Sequence, residues 1–210
     1  MEVTFLGHSS FRMRGKDVAI VTDPYGGPRG QTQTKVQADI VTISHDQEGH
    51  NNLAAVEGDP KVLSGPGEYE IRGALVTGVA TFLDAVSGQQ KGRNTVYVIQ
   101  LDDLRLCHLG DLGHVLSTEQ VEEIGTVDVL FVPGQSEILG IAKTAEVISQ
   151  IEPSVIVPMH VTSTDEADMA AIEKFCHEMG LRGIVPQQKL MLTRASLPQE
   201  TQVVVLDARQ

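Results

Sequence analysis

The stretch from Ser44 to Asn52 constrains the fold most, because it places two histidines directly after a β-branched run. The run Ile40–Ile43 predicts a buried strand, and His45 and His50 follow where that strand ends. A strand end is rigid while the loop beyond it is open, so folds often place chemistry at such positions. We therefore expect both histidines to lie at the mouth of a sheet.

Other predicted strands also end in side chains that can bind a metal ion. The segments are Gly7–Phe11, Thr22–Pro24, Leu106–His114 and Val155–His160. Imidazole and carboxylate groups together suit zinc, manganese or iron. Whole secondary elements separate these segments, so only folding can bring their side chains together.

The order of predicted elements favours a layered α/β fold. Short strands dominate the first half of the chain, and helices alternate with strands in the second half. The predicted strands are Val3–Leu6, Ser10–Arg14, Val18–Thr22, Asp39–Ile43, Lys61–Leu63, Tyr69–Arg72, Ala74–Thr81, Thr95–Leu101, Leu104–His108, Val127–Val132, Val155–Val157, Lys189–Leu192 and Gln202–Leu206. The predicted helices are Glu119–Ile124, which Ser117–Gln120 begins as a capping box, Ala142–Ile151, and Thr164–Met179, with Thr164 as N-cap.

Composition is that of one globular domain spanning residues 1–210, with 41% hydrophobic and 21% charged residues. The net charge of −12 argues against a nucleic-acid or anionic-membrane surface, which needs clustered Lys and Arg. A small anionic substrate stays compatible, because a bound dication can reverse the sign inside a pocket. The sequence leaves a homo-oligomer open.

The two cysteines, Cys107 and Cys176, are too few for a disulfide framework, so we expect buried, reduced thiols. The chain begins Met1-Glu2-Val3, without a basic region followed by an apolar segment, and it has no apolar run of membrane-spanning length. We therefore expect a cytoplasmic protein.

Taken in order, these segments resemble the metallo-β-lactamase fold superfamily, in particular the small metal-dependent hydrolases that include ascorbate-6-phosphate lactonase-like proteins. The resemblance spans nearly the whole chain. It rests on the segments Gly7–Phe11, Thr22–Pro24, Ser44–Asp46, Gly65–Glu70, His108–Asp111 and Pro158–His160. It implies a four-layer αββα sandwich with a metal site in a cleft along one edge of the two sheets.

The family's first metal-binding box, His-x-His-x-Asp-His, is incomplete in this chain. His45 and His50 match its first and last histidines, whereas Gln47 stands for the second histidine and Gly49 for the aspartate. A further family histidine is expected where this chain has Leu83. The loss of these two histidines argues against a site that binds two metal ions.

The resemblance maps the bridging carboxylate to Asp111 and the last histidine to His160. It implies at most one metal ion, zinc with manganese or iron as alternatives, held by His50, Asp111 and His160. His45 is a further ligand or proton carrier, and Asp111 also orients the attacking water. The remaining candidates line the cleft or support the ligands: His8, Ser9, Asp23, Gln47 and His114.

Two functions follow from this reading. The first is a metal-dependent hydrolase that uses a metal-activated water on an ester, lactone or phosphoester. The second is a non-catalytic binding or assembly protein whose metal site has decayed.

We expect His108 to face the interior at the end of its strand, and structural hydrogen bonding is the alternative role for His8 and His114.

Overall fold

The computed structural model describes residues 1–25, 35–134, 139–160, 166–180 and 186–207, of which 166–169 are described by their backbone alone. Its helices are α1 Thr118–Ile124, α2 Gly140–Ile151 and α3 Glu166–Glu178. Its strands are β1 Glu2–Gly7, β2 Ser10–Arg14, β3 Ala19–Thr22, β4 Val36–Gln37, β5 Ile40–Ile43, β6 Val56–Glu57, β7 Lys61–Ser64, β8 Gly67–Ile71, β9 Ala74–Phe82, β10 Arg93–Leu101, β11 Leu104–His108, β12 Val129–Pro133, β13 Val155–Met159, β14 Leu190–Met191 and β15 Gln202–Val203. Thr164, the predicted N-cap of the third helix, lies outside the described residues.

Two large sheets form the framework. One has six strands in the order β14-β1-β2-β3-β5-β7, and the other has seven in the order β15-β13-β12-β11-β10-β9-β8. Strands β3, β5 and β7 run parallel to one another, as do β11, β12, β13 and β15. The remaining pairs within these two sheets are antiparallel hairpins or meanders.

The main core lies between the two sheets. Phe5, Phe11 and Met13 from the six-stranded sheet share one buried cluster with Tyr97 and Phe131 from the seven-stranded sheet. Side chains alternate along each strand, so one face of each sheet enters this core. The layered α/β sandwich predicted from sequence is confirmed.

The two outer faces are covered differently. A second buried cluster joins the seven-stranded sheet to the helices, with Ile124, Val147 and Phe175 among its members. Among the described residues, the short parallel pair β4–β6 packs on the outer face of the six-stranded sheet. Sequence patterning did not predict this pair, because two-residue strands carry no periodicity. Strand β15 is also shorter than predicted, since Leu206 makes only an isolated bridge to Gln187.

Helix α1 begins as its sequence predicts. The Ser117 hydroxyl accepts a hydrogen bond from the Gln120 amide at 3.3 Å, and the Gln120 side chain accepts one from the Ser117 amide at 3.0 Å. This reciprocal pair is the capping box, and it satisfies two amides that the helix itself leaves unpaired. Among the described helices, none is long and apolar enough to cross a membrane.

Tyr97 joins the two sheets beside the strand ends. Its side chain is fully buried, and its hydroxyl accepts a hydrogen bond from the Gly65 amide at 3.0 Å. The carbonyl oxygens of Leu63 and Ile43 lie 3.1 and 3.2 Å from the same hydroxyl. Burial raises the pKa of Tyr97, so the hydroxyl stays neutral and keeps its proton to donate.

We expect Tyr97→Phe to lower the free energy of unfolding by about 1–3 kcal/mol, because the half-buried Gly65 amide and two carbonyl groups lose their shared partner. Urea unfolding followed by circular dichroism measures the change. Tyr69→Phe is the matched control, since Tyr69 is only partly buried against the same core. Equal losses in both variants would contradict a bridging role for the Tyr97 hydroxyl.

Candidate metal centre

Strand directions bring the predicted site residues to one edge of the sandwich. Strands β1, β3 and β5 point the same way in the first sheet, and β11, β12 and β13 do so in the second. The carboxyl ends of parallel strands share an edge, so the residues that follow them become neighbours. Those residues are His8 after β1, Asp23 after β3, His45 and His50 after β5, Asp111 after β11 and His160 after β13.

Backbone hydrogen bonds join the two sheets at this edge. The His160 amide donates to the His8 carbonyl oxygen at 2.7 Å, and the Thr95 amide donates to the Ser44 carbonyl oxygen at 2.8 Å. His8, Asp23 and His160 have φ angles of 56°, 38° and 60°, in the left-handed region that most side chains avoid. Such strain clusters at functional sites, because the surrounding structure must hold it. Here it turns the chain sharply after each strand and keeps these residues at the edge.

Asp111 lies among three imidazole rings. One of its carboxylate oxygens is 3.1 Å from His160 Nε2, and the other is 3.5 Å from His50 Nε2 and 3.8 Å from His45 Nε2. The structure thus brings together the four residues that the sequence predicts as metal ligands. In a tetrahedral zinc site with bonds of about 2.1 Å, ligand atoms lie about 3.4 Å apart. The distances from Asp111 to His160 and His50 are close to this spacing, and the distance to His45 is longer.

Three of these ligand atoms are buried without a hydrogen-bond partner among the described residues. They are His45 Nε2, His160 Nε2 and Asp111 Oδ1. Proteins rarely leave buried polar atoms unpaired, because each one loses its hydrogen bonds to water. A metal ion would satisfy all three, so the residues present fit a metal.

Asp23 fixes which nitrogen of His50 faces Asp111. The Asp23 carboxylate is fully buried and lies 2.9 Å from His50 Nδ1, with Ser9 Oγ 3.0 Å from the same nitrogen. A carboxylate can only accept, so His50 Nδ1 carries the proton. Burial by itself would lower the pKa of His50, but its hydrogen bond with Asp23 and the nearby Asp23 and Asp111 carboxylates raise it. In the neutral ring the lone pair of Nε2 is directed towards Asp111, as a metal ligand requires.

Ser44 links Asp23 to His45 and fixes which nitrogen of His45 carries the proton. Its hydroxyl donates to Asp23 at 2.5 Å, and its amide donates to the other Asp23 oxygen at 2.7 Å. His45 Nδ1 lies 2.9 Å from the Ser44 hydroxyl and donates to it, since that hydroxyl has already committed its proton. His45 Nε2 is therefore also left with a free lone pair. Sequence reasoning missed Ser44, although it immediately precedes His45 at the strand end.

Asn94 positions Asp111 in the same manner. Its side-chain oxygen accepts from the Asp111 amide at 3.2 Å, and its side-chain nitrogen donates to the Leu109 carbonyl at 2.9 Å. Gly110, between Leu109 and Asp111, has a φ of 57°, and a Cβ there would lie 2.5 Å from Asn94 Oδ1. Only glycine fits this turn. Asn94 was also missed, because no local motif marks it.

Burial keeps two of the imidazoles neutral. Burial lowers the pKa of His45, and the nearby His50 lowers it further. Burial, together with His160 and His50, lowers the pKa of His8 to about 4. Neutral imidazole is the form that binds metal, so neither ring must lose a proton first at neutral pH.

The two carboxylates stay ionised. Burial by itself would raise the pKa of Asp111, but its contacts with His160, His50 and His45 outweigh burial and lower that pKa. Burial likewise opposes ionisation of Asp23, yet its hydrogen bond with His50 and the nearby His108 and His50 rings bring the pKa below its usual value. Both groups therefore present negative charge to the imidazole cluster.

Two further histidines make structural hydrogen bonds. His108 is fully buried at the end of β11, and burial lowers its pKa. Its Nδ1 accepts from the Gly110 amide at 3.2 Å, and its Nε2 donates to the Ser9 carbonyl at 2.8 Å. His114 Nε2 accepts from the Phe82 amide at 3.2 Å, and its Nδ1 donates to the Val115 carbonyl at 2.8 Å. Both nitrogens of His114 thus hold the segment after β11 against the end of β9, which is the structural alternative to lining the cleft.

A cleft of about 700 Å³ adjoins the cluster. Gln47 and Leu83, which stand where the family has histidines, both line it beside His45. Gln47 is exposed, whereas Leu83 is 5% exposed. A buried apolar side chain cannot bind metal, so this part of the cleft lacks a ligand that the resemblance leads one to expect.

Relatives of known sequence or structure resemble this chain over most of its length. A candidate Zn-dependent hydrolase of the metallo-beta-lactamase superfamily from Thermotoga maritima is 34% identical, with a TM-score of 0.77, and 98% of each chain is covered. A UPF0173 metal-dependent hydrolase from Desulforamulus reducens is 24% identical, over 76% of this chain and 84% of that protein. Another from Pelotomaculum thermopropionicum is 26% identical, with the same shares covered.

A family model confirms the resemblance drawn from the strand-end motifs. The model of the beta-lactamase superfamily domain matches residues 2–160, which include every residue of the imidazole cluster. The chain therefore belongs to the metallo-β-lactamase superfamily.

Proposed function

We propose that this protein is a metal-dependent hydrolase that holds one zinc ion and acts on an ester, lactone or phosphoester. The observation that carries the proposal is the convergence of the unpartnered atoms His45 Nε2, His160 Nε2 and Asp111 Oδ1. Relatives named as metal-dependent hydrolases support the same activity at the level of the family. The ascorbate-6-phosphate lactonase-like branch, the cytoplasmic location and a homo-oligomeric state stay predictions from sequence.

His50, Asp111 and His160 are the proposed metal-holding residues, and His45 is a further ligand or a proton carrier. A bound divalent ion lowers the pKa of its water towards about 7 and polarises the carbonyl or phosphoryl oxygen of a substrate. Asp111, with both oxygens facing imidazoles, would orient the attacking water when a metal ion is bound. His45 faces both the cluster and the cleft, so it can carry a proton between them.

The depleted first box supports a single ion. Of the three histidines expected at the first metal position, only His45 is present, while Gln47 and Leu83 replace the others. An amide oxygen is a poor ligand for zinc, and Leu83 offers no donor. The imidazole-rich remainder favours zinc over manganese.

The cleft supports a small anionic substrate. Lys91 and Arg93 line it together with His45, and Asp46 is the one carboxylate in its lining among the described residues. Lys91 and Arg93 make no ion pair within the described part of the chain. In a protein with a net charge of −12, two unpaired cations facing one cleft favour a carboxylate or phosphate group there.

Protein purified without chelator should contain about one equivalent of zinc per chain, because the cluster supplies enough ligands for one ion. His50→Ala and His160→Ala should each retain less than about a tenth of an equivalent. Elemental analysis measures both, and His177→Ala on the exposed face of α3 is the control. A wild-type protein without metal would instead favour the non-catalytic binding or assembly protein.

Asp23→Asn should weaken zinc binding about 10–100-fold, because the amide no longer fixes His50 and Ser44 as a carboxylate does. Competition with a chromophoric chelator measures the dissociation constant. Asp17→Asn, at an exposed turn, is the control and should leave the dissociation constant unchanged. Unchanged zinc affinity in Asp23→Asn would show that the buried carboxylate does not support the ligands.

The double variant Gln47→His/Leu83→His should raise the metal content from about one to about two equivalents, because it restores imidazoles at both depleted positions. Elemental analysis and hydrolysis of a chromogenic ester measure the gain. Leu83→Asn is the control. It also replaces the apolar side chain with a polar one, but an amide is a poor metal ligand. A content that stays at one equivalent would contradict the assignment of these positions.

A further inference from the structure

The His8 ring lies beside Gly49, in van der Waals reach of a side chain at that position. A Cβ built on Gly49 would lie 3.6 Å from His8 Nε2 and 3.7 Å from His8 Cε1. The resemblance to the superfamily implies a metal-binding aspartate at the position of Gly49. The His8 ring therefore lies beside the place of the missing carboxylate.

The ring of His8 also belongs to the imidazole cluster. Its centroid is 4.7 Å from that of His160 and 4.8 Å from that of His50. One nitrogen from each of these three residues lies within 4.8 Å of the other two, as in a group that can share one ion. The three rings meet although they come from strands of two different sheets.

The local contacts leave one nitrogen of His8 available. Nδ1 lies 3.3 Å from Ser9 Oγ, whereas Nε2 has no hydrogen-bond partner among the described residues. The His8 carbonyl accepts from the His160 amide at 2.7 Å, which ties the backbones of the two residues together. The left-handed φ of 56° at His8 holds this arrangement.

We propose that His8 replaces the missing aspartate as a metal ligand and completes a set with His50, Asp111 and His160. The inference rests on the proposed function, because it assumes that the cluster binds metal. Gly49 and His8 then form a compensating pair: loss of the carboxylate at one position is matched by an imidazole at the other. Sequence spacing conceals this pair, since 41 residues separate its members.

The exchange changes the chemistry of the centre. Replacing a carboxylate with a neutral imidazole removes one negative charge from the ligand set, so a dication keeps more of its positive charge. Imidazole suits zinc, whereas carboxylates suit magnesium and manganese. A more positive centre also strengthens the attraction of an anionic group in the adjoining cleft.

His8→Ala should weaken zinc binding at least about 10-fold, a loss no smaller than that for a residue that only supports ligands. His8→Ala/Gly49→Asp should recover part of the lost affinity, because it returns a carboxylate beside the vacated space while the φ of 100° at position 49 strains the new side chain. Gly49→Asp alone should bring no gain, since the same backbone strain applies and the His8 ring still lies beside the new carboxylate. Zinc titration against a chromophoric chelator measures all three dissociation constants.

X-ray absorption at the zinc edge supplies a second readout, the number of coordinated imidazoles. This number should fall by one in His8→Ala and stay unchanged in His177→Ala. Thermal unfolding of the metal-free proteins separates loss of a ligand from loss of the fold, and His8→Gln is the second variant if His8→Ala does not fold. If the His8 variants matched the wild type in zinc affinity and in imidazole number while His50→Ala lost zinc, ligation by His8 would be overturned and the proposed function would stand. A wild-type protein that binds no zinc would overturn both.

Discussion

The buried carboxylate of Asp23 is the interaction on which the arrangement of the site depends. It accepts hydrogen bonds from the Ser44 amide, the Ser44 hydroxyl and His50 Nδ1, all within 2.9 Å. Through Ser44 it also sets the protonated nitrogen of His45. One ionised group therefore aims the Nε2 lone pairs of two histidines at the same place. Its burial raises the cost of losing any of these partners, because an uncompensated buried charge is strongly destabilising.

Topology supplies the remaining ligands. Asp111 and His160 follow parallel strands of the seven-stranded sheet, and they reach the histidines of the six-stranded sheet because both sheets present carboxyl ends at one edge. The backbone bond between His160 and His8 and the buried hydrogen bonds of His108 fasten the two sheets there. A site built from rigid strand ends needs little reorganisation to bind an ion, which is the property expected of a metalloenzyme.

Membership of the metallo-β-lactamase superfamily gives this chain a framework, but its own substitutions define its chemistry. Leu83 and Gly49 stand where the resemblance implies a histidine and an aspartate. His8 lies in the space beside Gly49, and the cleft presents Lys91 and Arg93 beside His45. Together these features describe an imidazole-rich cluster beside a cleft that two cationic side chains line.

The sequence by itself determined the longer strands, their polar ends and the family, because residue patterning and contiguous motifs are local properties of the chain. It also predicted that His108 faces the interior, since a residue within a buried strand has little freedom in its direction. Only the tertiary structure decided that Asn94 supports Asp111, that His114 braces a loop, and that His8 lies against Gly49. These roles depend on how the two sheets pack, and distances between residues far apart in the chain are fixed by the core rather than by local sequence.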